Sequence, residues 1–218
     1  MQGRIVDRNS GERDVRRFAL IALSIYALDK IVISFVNVFG SSAPLLRSIL
    51  VIPFLGVLFD WILPIFVVFA IEKRDLRSLG LDVGRNRYGL YAALAFIGLI
   101  LPALVVGVDW GLVVELVEQL VYIGLAEELY FRGYLMGRFR DWLGDLRGLL
   151  LNGLVFGLAH FIFLVSRYGF TDLVGDASIG IQTFLGGLLF GYIYLKSGDI
   201  VPGAILHISM NAYLSRLL

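Results

Sequence analysis

Glu127 and Glu128 stand side by side in the stretch GLAEELYFRGYL, with Arg132 four residues beyond the second. The chain has only two histidines, His160 in FGLAHFIF and His207 in ILHISMN, and both fall in apolar runs. Side chains of these types can do acid–base work on water: a carboxylate or a neutral imidazole takes a proton, and N–H donors stabilise the oxyanion that forms when water adds to a carbonyl. An ionisable group turned toward lipid near the centre of a helix costs at least about 2.5–3.5 kcal/mol, so such groups usually point into a bundle and often mark function.

Spacing divides the roles. Adjacent helical positions diverge by about 100°, so Glu127 and Glu128 cannot present the same face. Glu128 and Arg132 have the i, i+4 spacing with the Glu on the N-terminal side, which favours an ion pair at a helix end and gives Glu128 a positioning role. Glu127 is then free to face a cavity as a general base. His207 and Asn211 are also four apart and share a face. That pair can offer two donors to an oxyanion or clasp a neighbouring helix, and spacing alone favours neither. His160 taken singly reads as a packed, hydrogen-bonded residue; two histidines at compatible depth, with no others, weigh against that reading.

Elements that could hold these groups follow from composition. Of 218 residues, 58% are hydrophobic and 17% charged, and the mean hydropathy is +0.83. A bilayer core of about 30 Å needs roughly 20 apolar residues per helical span. Spans are expected at 17–39, 47–71, 88–107, 111–131, 148–165, 178–195 and 200–217. The fold class is therefore all-α, a multi-pass transmembrane bundle of seven spans, or eight if Pro44, Pro53 and Pro64 break the second run and hide a further helix. Continuous apolar runs without a period of two argue against a β-barrel. The whole chain, 1–218, reads as one membrane-embedded domain, with 1–16 as a retained cytoplasmic tail and 111–217 as the segment that bears the motifs. The absence of Cys removes disulfides, thiolate catalysis and Cys metal ligands. A net charge of +1 without a basic patch gives no sign of nucleic acid as a partner.

Arg and Lys accumulate in cytoplasmic loops, and 15 of them fall on one side of this pattern against 3 on the other, which puts the N-terminus in the cytoplasm of a cell-membrane protein. On that topology Glu127 and Glu128 are expected about 6–8 Å from the cytoplasmic end, His160 about 16 Å deep, and His207 and Asn211 about 10 and 16 Å deep. The site is thus expected in the cytoplasmic half.

EELYFR, FGLAH (Phe156 to His160) and HISMN, in that order on successive helices, resemble the E-E-x-x-x-R, F-x-x-x-H and H-x-x-x-N motifs of the CPBP intramembrane proteases, the CAAX-protease and bacteriocin-processing family with its Rce1-like branch. YFRG after the Glu pair and KSGDIVPGAILH before the last motif add to the likeness, which covers about 111–217. The resemblance implies an endopeptidase in which Glu127, aided by His160, activates water while His207 and Asn211 hold the oxyanion, and Glu128 and Arg132 support them. It implies no cofactor. The substrate would be a membrane-associated peptide or protein, such as a prenylated CAAX terminus, met at the lipid bilayer. Zinc held by Glu127, His160 and His207 is the lesser alternative, since no H-E-x-x-H spacing is present. The rival functions are a non-enzymatic immunity or scaffold protein and a small transporter that uses Glu and His as a proton relay.

Further intramembrane groups remain. A structural ion pair between Lys30 and Asp60 would relieve the burial cost of both. Glu115 and Glu118 either line a water-filled opening or lie at the interface. Gly187 and Gly191 have the spacing of close helix packing.

Overall fold

The computed structural model describes residues 8–39, 52–81, 87–169 and 173–217. Its elements are α1 (Arg8–Phe39), α2 (52–71), a single 3-10 turn (Leu76–Leu79), α3 (88–106), α4 (Trp110–Val121), α5 (124–143), α6 (Asp145–Tyr168), α7 (Leu173–Ser197) and α8 (Val201–Leu217). Among the described residues there is no strand. Five stretches among the described residues are long and apolar enough to cross a membrane: Asp14–Val38, Phe54–Ile71, Tyr88–Val106, Asp145–Tyr168 and Ala177–Ser197. The expected all-α membrane bundle is what forms. α3 fully buries no side chain; one face packs on α8, where the Tyr213 hydroxyl donates to the Leu99 carbonyl and Gly98 lies against Ile205, and the rest of its apolar surface is exposed.

Two expectations need correction. The span 111–131 is not one helix: α4 stops at Val121 and α5 starts at Gly124, running on to Leu143. Pro64 does not break the second run, because α2 continues through it from 52 to 71; Pro44 and Arg47 lie outside the described residues. α1 is already helical from Arg8, within the expected tail of 1–16, and its apolar stretch runs from Asp14.

α5 is the axis of the bundle. Every side chain from Glu128 to Met136 is buried, and this stretch is wound in wide π turns, a geometry that often accompanies functional sites. The Asn152 amide donates to the Phe131 carbonyl at 2.7 Å and so ties α6 to the widened segment. Gly133 is needed for packing: a Cβ there would collide with the Leu79 carbonyl of the 3-10 turn. α6 and α7 meet along their glycines, as the spacing of Gly187 and Gly191 suggested. A Cβ on Gly187 would lie 3.0 Å from the Cα of Gly153, and one on Gly191 would lie 2.6 Å from Leu149. This contact of small residues brings backbones close, which drives helix association where lipid supplies no hydrophobic gain.

The two ends of the bundle differ. At one end the start of α1, the end of α2, the end of α5 and the end of α7 gather. Arg74 pairs with Asp141 at 2.7 Å, Arg16 lies over Trp142, and Arg87 donates to the Ser197 carbonyl at 2.8 Å. Arg138 is buried there in a fork on Glu72, with Nη2 2.5 Å from Oε2, and also donates to the Ser78 carbonyl. At the other end Asn37 donates to Ser166 at 3.3 Å, and Arg216 pairs with Asp109 at 3.4 Å.

Candidate active site

The break between α4 and α5 positions the first carboxylate. The Trp61 indole donates to the Val121 carbonyl at 2.9 Å, satisfying an acceptor that the interrupted helix leaves open. Gly124 restarts the chain where a Cβ would sit 2.7 Å from Ile208 and 3.3 Å from Gln119, so only glycine lets α8 approach this closely. Glu127 therefore sits in the first turn of α5, not near the end of a span. It lies sixteen residues, about 24 Å of helix, before Leu143.

From that place Glu127 meets both histidines. Its Oε2 lies 4.0 Å from His160 Nε2 and 3.8 Å from His207 Nε2, and no donor of the protein hydrogen-bonds to it. Both rings are turned by their other nitrogen. His160 Nδ1 is 3.0 Å from the Phe156 carbonyl, an atom that can only accept, so Nδ1 carries the hydrogen and neutral His160 keeps its Nε2 lone pair to accept from a water. The F-x-x-x-H spacing is this bond, one helical turn long, and the Phe156 ring meets the imidazole edge-on at 4.6 Å. His207 Nδ1 is 3.0 Å from Glu128 Oε1 and must likewise be the donor; its ring stacks on Phe190 at 4.7 Å.

Glu128 is a junction. The same Oε1 that receives His207 lies 2.9 Å from Arg132 Nη1, so the expected i, i+4 pair forms. It does not form at a helix end. Arg132 is fully buried at mid-helix, and its contact with Glu128 has the distance of an ion pair without hydrogen-bond angles. The guanidinium instead lies over three phenyl rings, at 4.2 Å from Phe156, 5.1 Å from Phe190 and 5.9 Å from Phe131. Cation–π contact of this kind strengthens when the cation is out of water. Gly203 completes the seat: a Cβ there would come 3.0 Å from Glu128 Oε2, which accounts for the glycine in VPGAILH. Phe190 and Gly203 are the supporting residues that reading single helices does not reveal, because neither carries a polar atom or a periodic signal.

A cavity of about 600 Å3 opens beside Glu127 and His160, within the size range of ligand pockets. Its walls include Lys30, Asp60, Glu118, Phe131, Phe163 and Arg167. Neither His207 nor Asn211 lines it. His207 is buried behind Glu127, while the Asn211 amide donates to Gln119 at 2.9 Å on an exposed part of α8. The two acidic residues of α4 separate: Glu118 faces the cavity and Glu115 lies 3.6 Å from Arg216. The Lys30–Asp60 ion pair is replaced by a neighbouring one, Lys30 with Asp29 at 2.7 Å, which leaves Asp60 and Lys30 as separate groups on the cavity wall.

A multi-pass helical bundle with these three motifs converging inside it has the fold of a CAAX-type intramembrane protease. Residues 109–213, just under half of the chain, match the family model described as Rce1-like, type II CAAX prenyl endopeptidase Rce1-like, a match that supports the CPBP, Rce1-like family. No curated protein and no solved structure matches the chain.

Proposed function

We propose that the protein is an intramembrane endopeptidase in which Glu127 activates water for direct attack on a peptide bond. The observation that carries this reading is the meeting of one unpaired carboxylate oxygen with two imidazole Nε2 atoms at 3.8 and 4.0 Å, at the edge of the cavity. A gap of that size can be bridged by one water molecule bonded to both sides. Glu127, aided by His160, takes the proton of the water; the hydroxide adds to the carbonyl carbon, and the proton then passes to the leaving amine as the tetrahedral intermediate collapses. His207 donates from Nε2 to the oxyanion. Since its Nδ1 hydrogen is already given to Glu128, this requires the doubly protonated ring, and the Glu128 carboxylate supports that charge. Asn211 has one amide hydrogen beyond its bond to Gln119, and a share in holding the oxyanion rests on that hydrogen.

The reading uses no metal and no cofactor; zinc on Glu127, His160 and His207 would be its alternative. The substrate is a membrane-associated peptide or protein, of which a prenylated CAAX terminus is one candidate, and the Arg and Lys distribution supports an N-terminus on the cytoplasmic side of the cell membrane. The test is cleavage of a prenylated CAAX peptide and an unprenylated control by the purified protein in lipid, for wild type and Glu127→Gln, with and without a zinc chelator. Cleavage that survives chelation and disappears in the variant supports the reading. Loss on chelation with recovery on zinc addition replaces it with a metallopeptidase. Intact biological function in Glu127→Gln overturns hydrolysis in favour of a scaffold role.

A further inference from the structure

The cavity and the basic loops lie at opposite ends of the bundle. Its wall residues come from the last third of α1 (Lys30, Ile33), the first half of α2 (Gly56, Asp60) and the last turns of α6 (Phe163, Arg167). Those helix ends meet where Asn37 bonds Ser166. The other end gathers Lys73, Arg74, Arg77, Arg87, Arg140 and Arg147, whereas among the described residues the cavity half of the bundle holds Arg167, Arg216 and the wall residue Lys30, which pairs with Asp29. Depth agrees with this. His160 is fifteen residues from the start of α6 at the basic end, about 22 Å of helix, but only eight residues, about 12 Å, from its other end. Glu127 is likewise about 24 Å of helix from the basic end of α5.

We infer that the cavity opens on the extracytoplasmic face of the membrane and takes its peptide substrate from the outer leaflet. Positive charge in short loops is retained on the cytoplasmic side, so the end with Arg74, Arg77 and Arg147 faces the cytoplasm and the cavity end, where Gly56 and Arg167 line the wall, faces away from it. This departs from the expectation of a site in the cytoplasmic half, and the reason is physical. That expectation took Arg132 as the cytoplasmic end of a helix, whereas α5 carries Glu127 a further eleven residues, about 16 Å, past it. The substrate class changes accordingly: polypeptides already exported and still held in the membrane, in place of peptides lipidated and displayed in the cytoplasm. The naming of a substrate rests on the proposed peptidase activity; the sidedness of the cavity does not.

The chain contains no Cys, so single cysteines report without interference. Arg167→Cys and Val108→Cys mark the cavity end, Arg77→Cys and Arg147→Cys the basic end; all four positions are exposed. A membrane-impermeant maleimide applied to intact cells is expected to label the first two and to leave the second two unlabelled until the membrane is permeabilised. The reverse pattern, or labelling of Arg167→Cys and Val108→Cys only after permeabilisation, overturns the inference and leaves the peptidase reading standing. In a second arm, a membrane-anchored peptide that wild type cleaves in lipid is presented to intact cells and to inverted vesicles. Cleavage confined to inverted vesicles overturns the outer-leaflet substrate. Correct labelling with no cleavage in any preparation overturns the peptidase reading alone.

Discussion

At the residue scale the site is a division of labour between neighbours. Glu127 carries an unpaired oxygen toward both imidazoles, and Glu128 spends its Oε1 on His207 and Arg132. Glu127→Gln is therefore expected to abolish turnover without lowering thermal stability in lipid. A variant that keeps more than a tenth of wild-type rate would show that Glu127 is not the base. His207→Ala removes the proposed oxyanion donor and is expected to lower kcat by about 10²–10³ with little change in KM. Glu128→Gln should act through His207. It replaces the carboxylate that accepts from His207 Nδ1 and lies beside Arg132 with a neutral amide, so kcat is expected to fall while KM stays near wild type. A Glu128→Gln variant with wild-type kcat would contradict that role. Arg132 has a different duty: with Glu128 and three phenyl rings around it, its loss leaves a buried carboxylate with one partner fewer.

At the scale of elements, the helix break and the close glycine contacts decide where those residues go. Gly133→Ala places a methyl against the Leu79 carbonyl and is expected to cost on the order of 1–3 kcal/mol, read as a lower unfolding temperature in detergent; unchanged stability would mean that the 3-10 turn does not pack there. α4 begins at Asp109, whose carboxylate accepts from the Leu112 amide at 2.6 Å. That bond first, and Arg216 second, hold the Asp109 carboxyl below the usual aspartate range. A folded-state pKa below the unfolded one gives stability that is present at neutral pH and is lost as pH falls through the folded value. Asp109→Asn should therefore flatten the acid limb of the stability curve relative to wild type, checked by unfolding temperature between neutral and acid pH. Of the element boundaries, the apolar spans were legible because lipid demands long uninterrupted runs, and α3, α6 and α7 begin or end within a few residues of expectation. The Tyr122–Ile123 break was not legible, because both its flanks are apolar and its cause, the Trp61 indole on the Val121 carbonyl, comes from another helix.

At the scale of the molecule, a buried ion pair secures the basic end opposite the cavity. Arg138 grips Glu72 in a fork with both partners out of water, and Arg138→Met is expected to cost about 3–5 kcal/mol because it strands a buried carboxylate; the Glu72→Leu, Arg138→Met double variant should recover much of that loss. Equal unfolding temperatures for the single and double variants would show that the pair is not coupled. The sequence by itself determined the membrane class, the all-helical fold and the roll of polar residues worth attention, because hydropathy and i, i+4 spacing are local properties of the chain. It also determined that Glu128 pairs with Arg132 and that Gly187 and Gly191 serve close packing. Only the tertiary structure decided which atoms meet: that Glu127 faces both His160 and His207, that Asn211 turns to Gln119, that Lys30 chooses Asp29 over Asp60, and which end of the bundle holds the cavity. Those choices depend on rotations and offsets between helices, which side-chain packing over several elements sets and no single stretch of sequence encodes.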